Sequence, residues 1–174
     1  EERELADRAA RGDAANADLP DVQEWFVRAR VASRLHIPSD ATSAYERCIG
    51  ELDEMLRALD VRSSSDVPPL LHELNLASSL GLLELYSDQD SSLRSALEVA
   101  DVLLQMHDEA KGSAYAEDTE ANAPVEVLRA VHKLVGKHGL KAVRTAQKGI
   151  GQPHAAIDNA LHEIEDWRVD GYDR

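Results

Sequence analysis

The sequence predicts an all-α fold, a helical bundle with a central leucine-rich helix and a small basic C-terminal helical module. Leucine and alanine, which favour helices, dominate its apolar residues. Those residues recur at spacings of three and four, and no stretch alternates with the period of two expected of a strand. Hydrophobic residues make up 43% of the 174 residues, which is enough for a packed core.

The first three predicted helices cover residues 2–13, about 21–37, and 40–59. Asp18 or Asp21 is expected to cap the second, with Pro20 in its first turn, and the helix is expected to end before Pro38. Its large side chains lie on or near one side: Trp25, Phe26, Val31 and Leu35. The third is the most clearly amphipathic, and Ser39 or Asp40 opens it. Its apolar stripe has spacings of 4, 3, 4, 3 and 4: Ala41, Tyr45, Cys48, Leu52, Met55 and Leu59.

The fourth predicted helix begins at Pro68 and Pro69 and carries leucines in nearly every direction. A helix that is apolar all round is covered on several sides. In a chain this short, neighbouring subunits are a natural source of that cover, and we therefore expect a subunit interface at Leu76, Leu80 and Leu83. A fifth helix follows the polar turn at residues 87–92 and ends near residue 111.

Residues 1–112 are predicted to form an acidic helical body, and residues 113–124, which are acidic, small and polar, a linker. Residues 125–174 then form the basic module. Its helices are expected to break at residues 136–139 and 149–153. The last helix carries Ile157, Leu161, Ile164 and Trp167.

The strongest functional signal is a run of six basic residues without a carboxylate between Val127 and Ile157: Arg129, Lys133, Lys137, Lys141, Arg144 and Lys148. The chain has 19 Lys+Arg against 33 Asp+Glu and a net charge of -14, so the rest of it carries -20. Such clustering of positive charge indicates a binding partner that neutralises it, either phosphate or an acidic protein surface. The alternative is a solvated helix face balanced by acidic residues elsewhere in the fold.

The glycine-bearing breaks give this module a loose likeness to a helix-turn-helix. The second break is long, and the following helix starts His154-Ala155-Ala156, without the Arg, Asn or Gln side chains that read base edges. Non-specific DNA contact through phosphates is therefore favoured over sequence readout. A helix-turn-helix-like regulator that uses residues 127–157 remains the alternative function.

We predict no catalytic residue, metal or cofactor. Histidines 132, 138, 154 and 162 lack the spacing of zinc-binding helices, and Cys48 lies on an apolar stripe as a buried side chain would. The sequence contains no run of about 18 apolar residues, so no transmembrane span and no membrane contact are predicted. The first residues also lack the apolar stretch of a signal peptide. Low lysine and a pI near 4.8 suggest a halophilic or high-GC source.

The middle of the chain resembles a known family. Leu35-His-Ile-Pro-Ser-Asp40 leads into the amphipathic helix, and Val67-Pro68-Pro69-Leu70-Leu71 opens the leucine-rich one. A further helix, residues 92–106, contains Ala96-Leu97-Glu98. This order, over Leu35 to Met106, resembles the head–tail connector (adaptor) proteins of tailed viruses. The N-terminal 34 residues and the basic module depart from the compact family pattern.

The resemblance implies a non-enzymatic virion protein at the head–tail junction, assembled in the host cytoplasm. Connectors of this kind form a ring, commonly of twelve copies, between the portal protein and the tail or stopper proteins, and DNA passes through the ring. The six basic residues would then meet an acidic portal surface or DNA phosphates.

Overall fold

A computed structural model describes residues 21–59, 67–89, 92–110 and 123–169, and these residues form helices without any strand. The all-α prediction is confirmed. The helices are α1 (21–34), α2 (Pro38–Ala58), α3 (Pro69–Asp88), α4 (Leu93–Ala110), α5 (Ala123–His138), α6 (Leu140–Lys148) and α7 (Ala155–Val169). The predicted first helix, residues 2–13, lies outside the described residues.

Helices α1 and α2 follow each other through a tight turn. His36 has a φ of 57°. Its N–H donates to the carbonyl of Ser33 at 3.1 Å, and the N–H of Ile37 donates to the carbonyl of Ala32 at 3.0 Å. This pair of bonds is a Schellman motif, in which the left-handed position is usually glycine. Helix α2 then starts at Pro38, and its N-cap is Ile37 rather than the predicted Ser39 or Asp40.

The chain divides into two compact units, Glu1–Gly81 and Leu82–Arg174. In the first unit, α1, α2 and α3 share one core: Val22, Cys48, Leu52, Met55, Leu71 and Leu74. The predicted stripe of α2 is confirmed, since Ala41, Tyr45, Cys48, Leu52 and Met55 are all buried. Helix α3 approaches α2 at Gly81, where a Cβ would lie 2.5 Å from Cζ of Tyr45.

Helix α1 differs from its prediction. Its buried positions are Val22 and Ala29, both fully covered, with Trp25 and Phe26 packed against the core. Val31 and Leu35 were expected beside the two aromatic residues, but they are 50% and 63% exposed. Their positions follow from the helix period, because residues two and six places beyond Ala29 point away from its face.

The second unit is built on α4 and α5. Helix α4 packs against α5 and α6, α5 packs against α6 and α7, and α6 contacts α7. The predicted domain boundary at residues 113–124 differs from this division, because α4 belongs with the basic helices. Residues 113–122 lie outside the described ranges, and Ala123 and Pro124 already belong to α5.

Candidate functional site on helices α5 and α6

Helix α5 carries three of the six predicted site residues on its outer side. Its buried positions, which include Val127, Val131 and Leu134, repeat at helical spacing and hold it in the core. The remaining positions, which include Arg129, Lys133 and Lys137, are therefore exposed. The break before α6 falls at Gly139, whose φ of 85° suits glycine. Gly136, which was expected to share in that break, lies within α5.

Arg129, Lys133 and Lys137 all have acceptors within the chain. Arg129 pairs with Glu126, one turn earlier on α5, at 2.6 Å. Lys133 forms an ion pair with the carboxylate of Asp88, and Lys137 donates a hydrogen bond to the Asp88 backbone carbonyl. Asp88 is the last residue of α3, where carbonyls lack helical partners and the helix dipole favours cations. The two lysines therefore complete the C-terminal end of α3.

Arg144 connects α6 to α7. Its Nη2 donates to Glu165 Oε2 at 2.5 Å and lies 3.1 Å from Nδ1 of His162. Only 28% of the Arg144 side chain is exposed. Lys141 and Lys148 are exposed on α6 and have no side-chain partner in the described part of the chain. Four of the six predicted contact residues are thus used in pairing within the chain, and two are not.

The three leucines predicted as a subunit interface differ in accessibility. Leu76 and Leu83 are each 2% exposed in the single chain, and Leu80 is half-buried. A second copy could contact Leu80 without rearrangement of the helix, whereas its own chain already covers Leu76 and Leu83. The interface at these three positions stays a prediction.

A second cluster joins α4 to the beginning of α7. The carboxylate of Asp101, which is 6% exposed, accepts the backbone N–H of His154 at 2.5 Å and the Gln105 side-chain amide at 2.7 Å. His154 Nε2 lies 2.5 Å from Asp108 Oδ2, while His154 Nδ1 accepts the N–H of Ala156 at 3.1 Å. These contacts hold Nε2 as the protonated nitrogen and anchor the N-terminal end of α7.

This cluster escaped the sequence interpretation, although a signal was present. Asp101 and Asp108 share a helix face with the buried Leu97 and Leu104. A carboxylate within an apolar stripe predicts a buried hydrogen-bond donor. The donor itself could not be named from sequence, because it is a backbone N–H more than fifty residues away.

The histidines considered as metal ligands and Cys48 lie in separate surroundings. Among the residues that the structure describes, no three His, Cys, Asp or Glu side chains are arranged to hold a metal ion. The ring of His132 lies 6.0 Å from that of Trp167. Cys48 is fully covered, accepts a hydrogen bond from Ser78 Oγ at 3.3 Å and faces the Val22 carbonyl at 3.6 Å. Burial raises the pKa of the Cys48 thiol, as in a packing residue.

A surface cleft of about 270 Å³ surrounds Trp25 in the first unit. Arg28 and Arg47 stack on the indole, with guanidinium carbons 4.9 and 5.7 Å from the ring centroid. Each arginine also pairs with a glutamate of its own helix, Glu24 or Glu51. The cleft therefore holds nearly balanced charge, and it offers an anion no excess of positive groups.

No family model matches this chain, and no curated protein or solved structure is significantly similar to it. None of the helices in the described ranges combines the length and apolarity needed to cross a bilayer. The fold and the site together define a class: an all-α protein most of whose basic site residues are paired with groups of its own chain.

Proposed function

We propose that the chain is a non-enzymatic structural protein that works through protein–protein contacts, as a head–tail connector ring between portal and tail of a virion. The proposal of protein–protein contacts rests on one observation: large apolar side chains are exposed on a highly charged chain. Val27, Val31 and Leu35, which are spaced four residues apart from α1 into its last turn, are 57%, 50% and 63% exposed. Exposed apolar patches on soluble proteins commonly mark interaction sites.

The connector assignment rests, in addition, on the resemblance of residues Leu35 to Met106 to head–tail connector proteins. Helices α2, α3 and α4 occupy that stretch in the order which the resemblance implies. The pairing of Arg129, Lys133, Lys137 and Arg144 within the chain also favours a structural role, because paired cations have less charge to offer DNA phosphates. Lys141 and Lys148, which have no side-chain partner in the described part of the chain, would then be the residues of the basic module that meet an acidic surface of a portal protein.

Native mass tests the connector. Light scattering at low and high salt, with and without duplex DNA, should show a closed oligomer of about a dozen copies that does not require DNA, and electron microscopy should show rings. A chain that stays monomeric or dimeric at every soluble concentration would contradict the ring.

The DNA-binding alternative is favoured by one observation, the exposure of Lys141 and Lys148 on α6. A contact limited to these two residues predicts a log–log salt dependence of duplex affinity near -1.8, whereas six contacts would give about -5.4. Lys141→Glu with Lys148→Glu should abolish such binding, and Lys133→Glu should leave it unchanged apart from any loss of stability. Undetectable binding at low salt would remove this alternative.

A further inference from the structure

The outward face of α1 is an apolar row that nothing in the described part of the chain covers. Val27, Val31 and Leu35 are spaced four residues apart and are 57%, 50% and 63% exposed. The N–H of Leu35 still bonds to the carbonyl of Val31 at 3.0 Å, so Leu35 continues the helical turn. The row lies opposite the buried Val22 and Ala29, and it therefore faces solvent.

Arginines flank this row. At 100° per residue, Arg30 and Arg34 lie along one edge and Arg28 along the other. Arg28 pairs with Glu24, whereas Arg30 and Arg34 have no side-chain partner among the described residues. Residues 25–39 contain no carboxylate, although the whole chain carries a net charge of -14. The α1 face thus combines an apolar ridge with two arginines that pair with no group in the described ranges.

The shape of this face fits a helix. Side chains at i, i+4 and i+8 form one of the ridges that pack into the groove of a facing helix. Eight residues at 1.5 Å each give a ridge of about 12 Å. The facing helix must offer a groove between small side chains, and carboxylates at its edges to meet the arginines.

The chain itself presents such a helix in α2. Its outward side carries the exposed small residues Ser39, Ser43 and Gly50, and a Cβ at Gly50 would meet no atom within 4 Å. At 100° per residue, the same side also carries three exposed carboxylates and one exposed arginine: Glu46, Asp53, Glu54 and Arg57. This side of α2 therefore combines small residues with an excess of negative charge, opposite in sign to the α1 face.

We propose that the outward face of α1 in one copy of the chain docks on the outward face of α2 in the next copy. The contact is heterologous, since two α1 faces would bring arginine against arginine. Heterologous contacts that close produce rings. This inference rests on the proposed connector function and names its subunit interface, which would lie here rather than at the buried Leu76 and Leu83.

Charge reversal on each side tests the contact. One variant combines Arg30→Glu with Arg34→Glu, and a second combines Asp53→Lys with Glu54→Lys. Each alone opposes like charges, and we expect the dissociation constant for self-association to rise about a hundredfold or more. In a mixture, every contact between the two variants again opposes unlike charges, so a ring in which they alternate is complementary at each contact. Light scattering should therefore show assembly in the mixture and in the wild-type chain, and smaller species in each variant alone.

Val31→Asp provides a further variant, with Val125→Asp as its matched control, because Val125 is 52% exposed on α5. Val31→Asp should weaken assembly, Val125→Asp should not, and circular dichroism should show unchanged helix content in both. If the wild-type chain forms rings that all α1 and α2 variants retain, the interface inference fails and the ring stands. If the wild-type chain stays monomeric at every concentration, both the connector ring and its α1–α2 interface fail.

Discussion

Asp101→Ala is expected to loosen the N-terminal end of α7 from α4. The carboxylate is 6% exposed and accepts two hydrogen bonds, from the backbone N–H of His154 and from Gln105. His154 precedes the first residue of α7, and its carbonyl accepts the N–H of Ile157 at 3.0 Å. The truncation removes the acceptor from a part-buried N–H at the point where the last helix begins.

The magnitude follows from the two bonds. A hydrogen bond to a charged group contributes about 1.5–3 kcal/mol, and a Gln–Asp pair one helical turn apart about 0.2–0.5 kcal/mol. We therefore expect Asp101→Ala to lower the free energy of unfolding by about 2.5 kcal/mol. For a chain of this size, that corresponds to a fall in Tm of roughly 5–10 °C.

Urea and thermal unfolding, followed by circular dichroism, measure this loss. Glu98→Ala is the matched control, because Glu98 lies on the same helix in an exposed pair with Arg94 and should change stability by less than about 0.5 kcal/mol. Asp101→Asn keeps one acceptor oxygen and should fall between the two. An Asp101→Ala variant as stable as Glu98→Ala would refute the anchoring role of this carboxylate.

Three further predictions concern the first unit. His36→Gly should raise the free energy of unfolding by about 0.5–1 kcal/mol in urea denaturation, because it removes the cost of a left-handed side chain. Gly81→Ala should lower it by about 1–3 kcal/mol, since the new Cβ meets the buried Tyr45 ring, whereas Gly136→Ala has open space and should stabilise α5. Cys48, whose pKa is raised by burial, should react with a thiol reagent at pH 8 only as fast as the chain unfolds; rapid reaction of the native chain would contradict its burial.

The helices that were predicted best are those with one buried face. In α2, the spacing of Ala41, Tyr45, Cys48, Leu52 and Met55 states directly which side packs on the core. The same reasoning correctly predicted the burial of Ile157, Leu161 and Ile164 of α7. The prediction was wrong for Trp167, which is 58% exposed at the end of that helix.

Helices with apolar residues on several sides were harder to predict. In α1 only the packing partners decide that Val22 and Ala29 are covered and that Val31 and Leu35 are not. In α3 the leucines were expected to need cover from other subunits, but a single chain suffices for Leu76 and Leu83. Hydrophobicity predicts that a side chain will be buried, but it does not identify the residues that will pack against it.

Runs of like charge carry the same ambiguity, and the chain has two long basic stretches without a carboxylate, residues 25–39 and 127–157. In residues 127–157 the cations find acceptors that are distant in sequence, Asp88 at the end of α3 and Glu165 on α7. In residues 25–39, Arg30 and Arg34 find none within the described part of the chain. The first run was the stronger signal in the sequence, yet the fold satisfies most of it internally. The second run is shorter and borders exposed apolar residues, and its Arg30 and Arg34 have no acceptor in the described ranges, so an external partner is expected at α1 before α5.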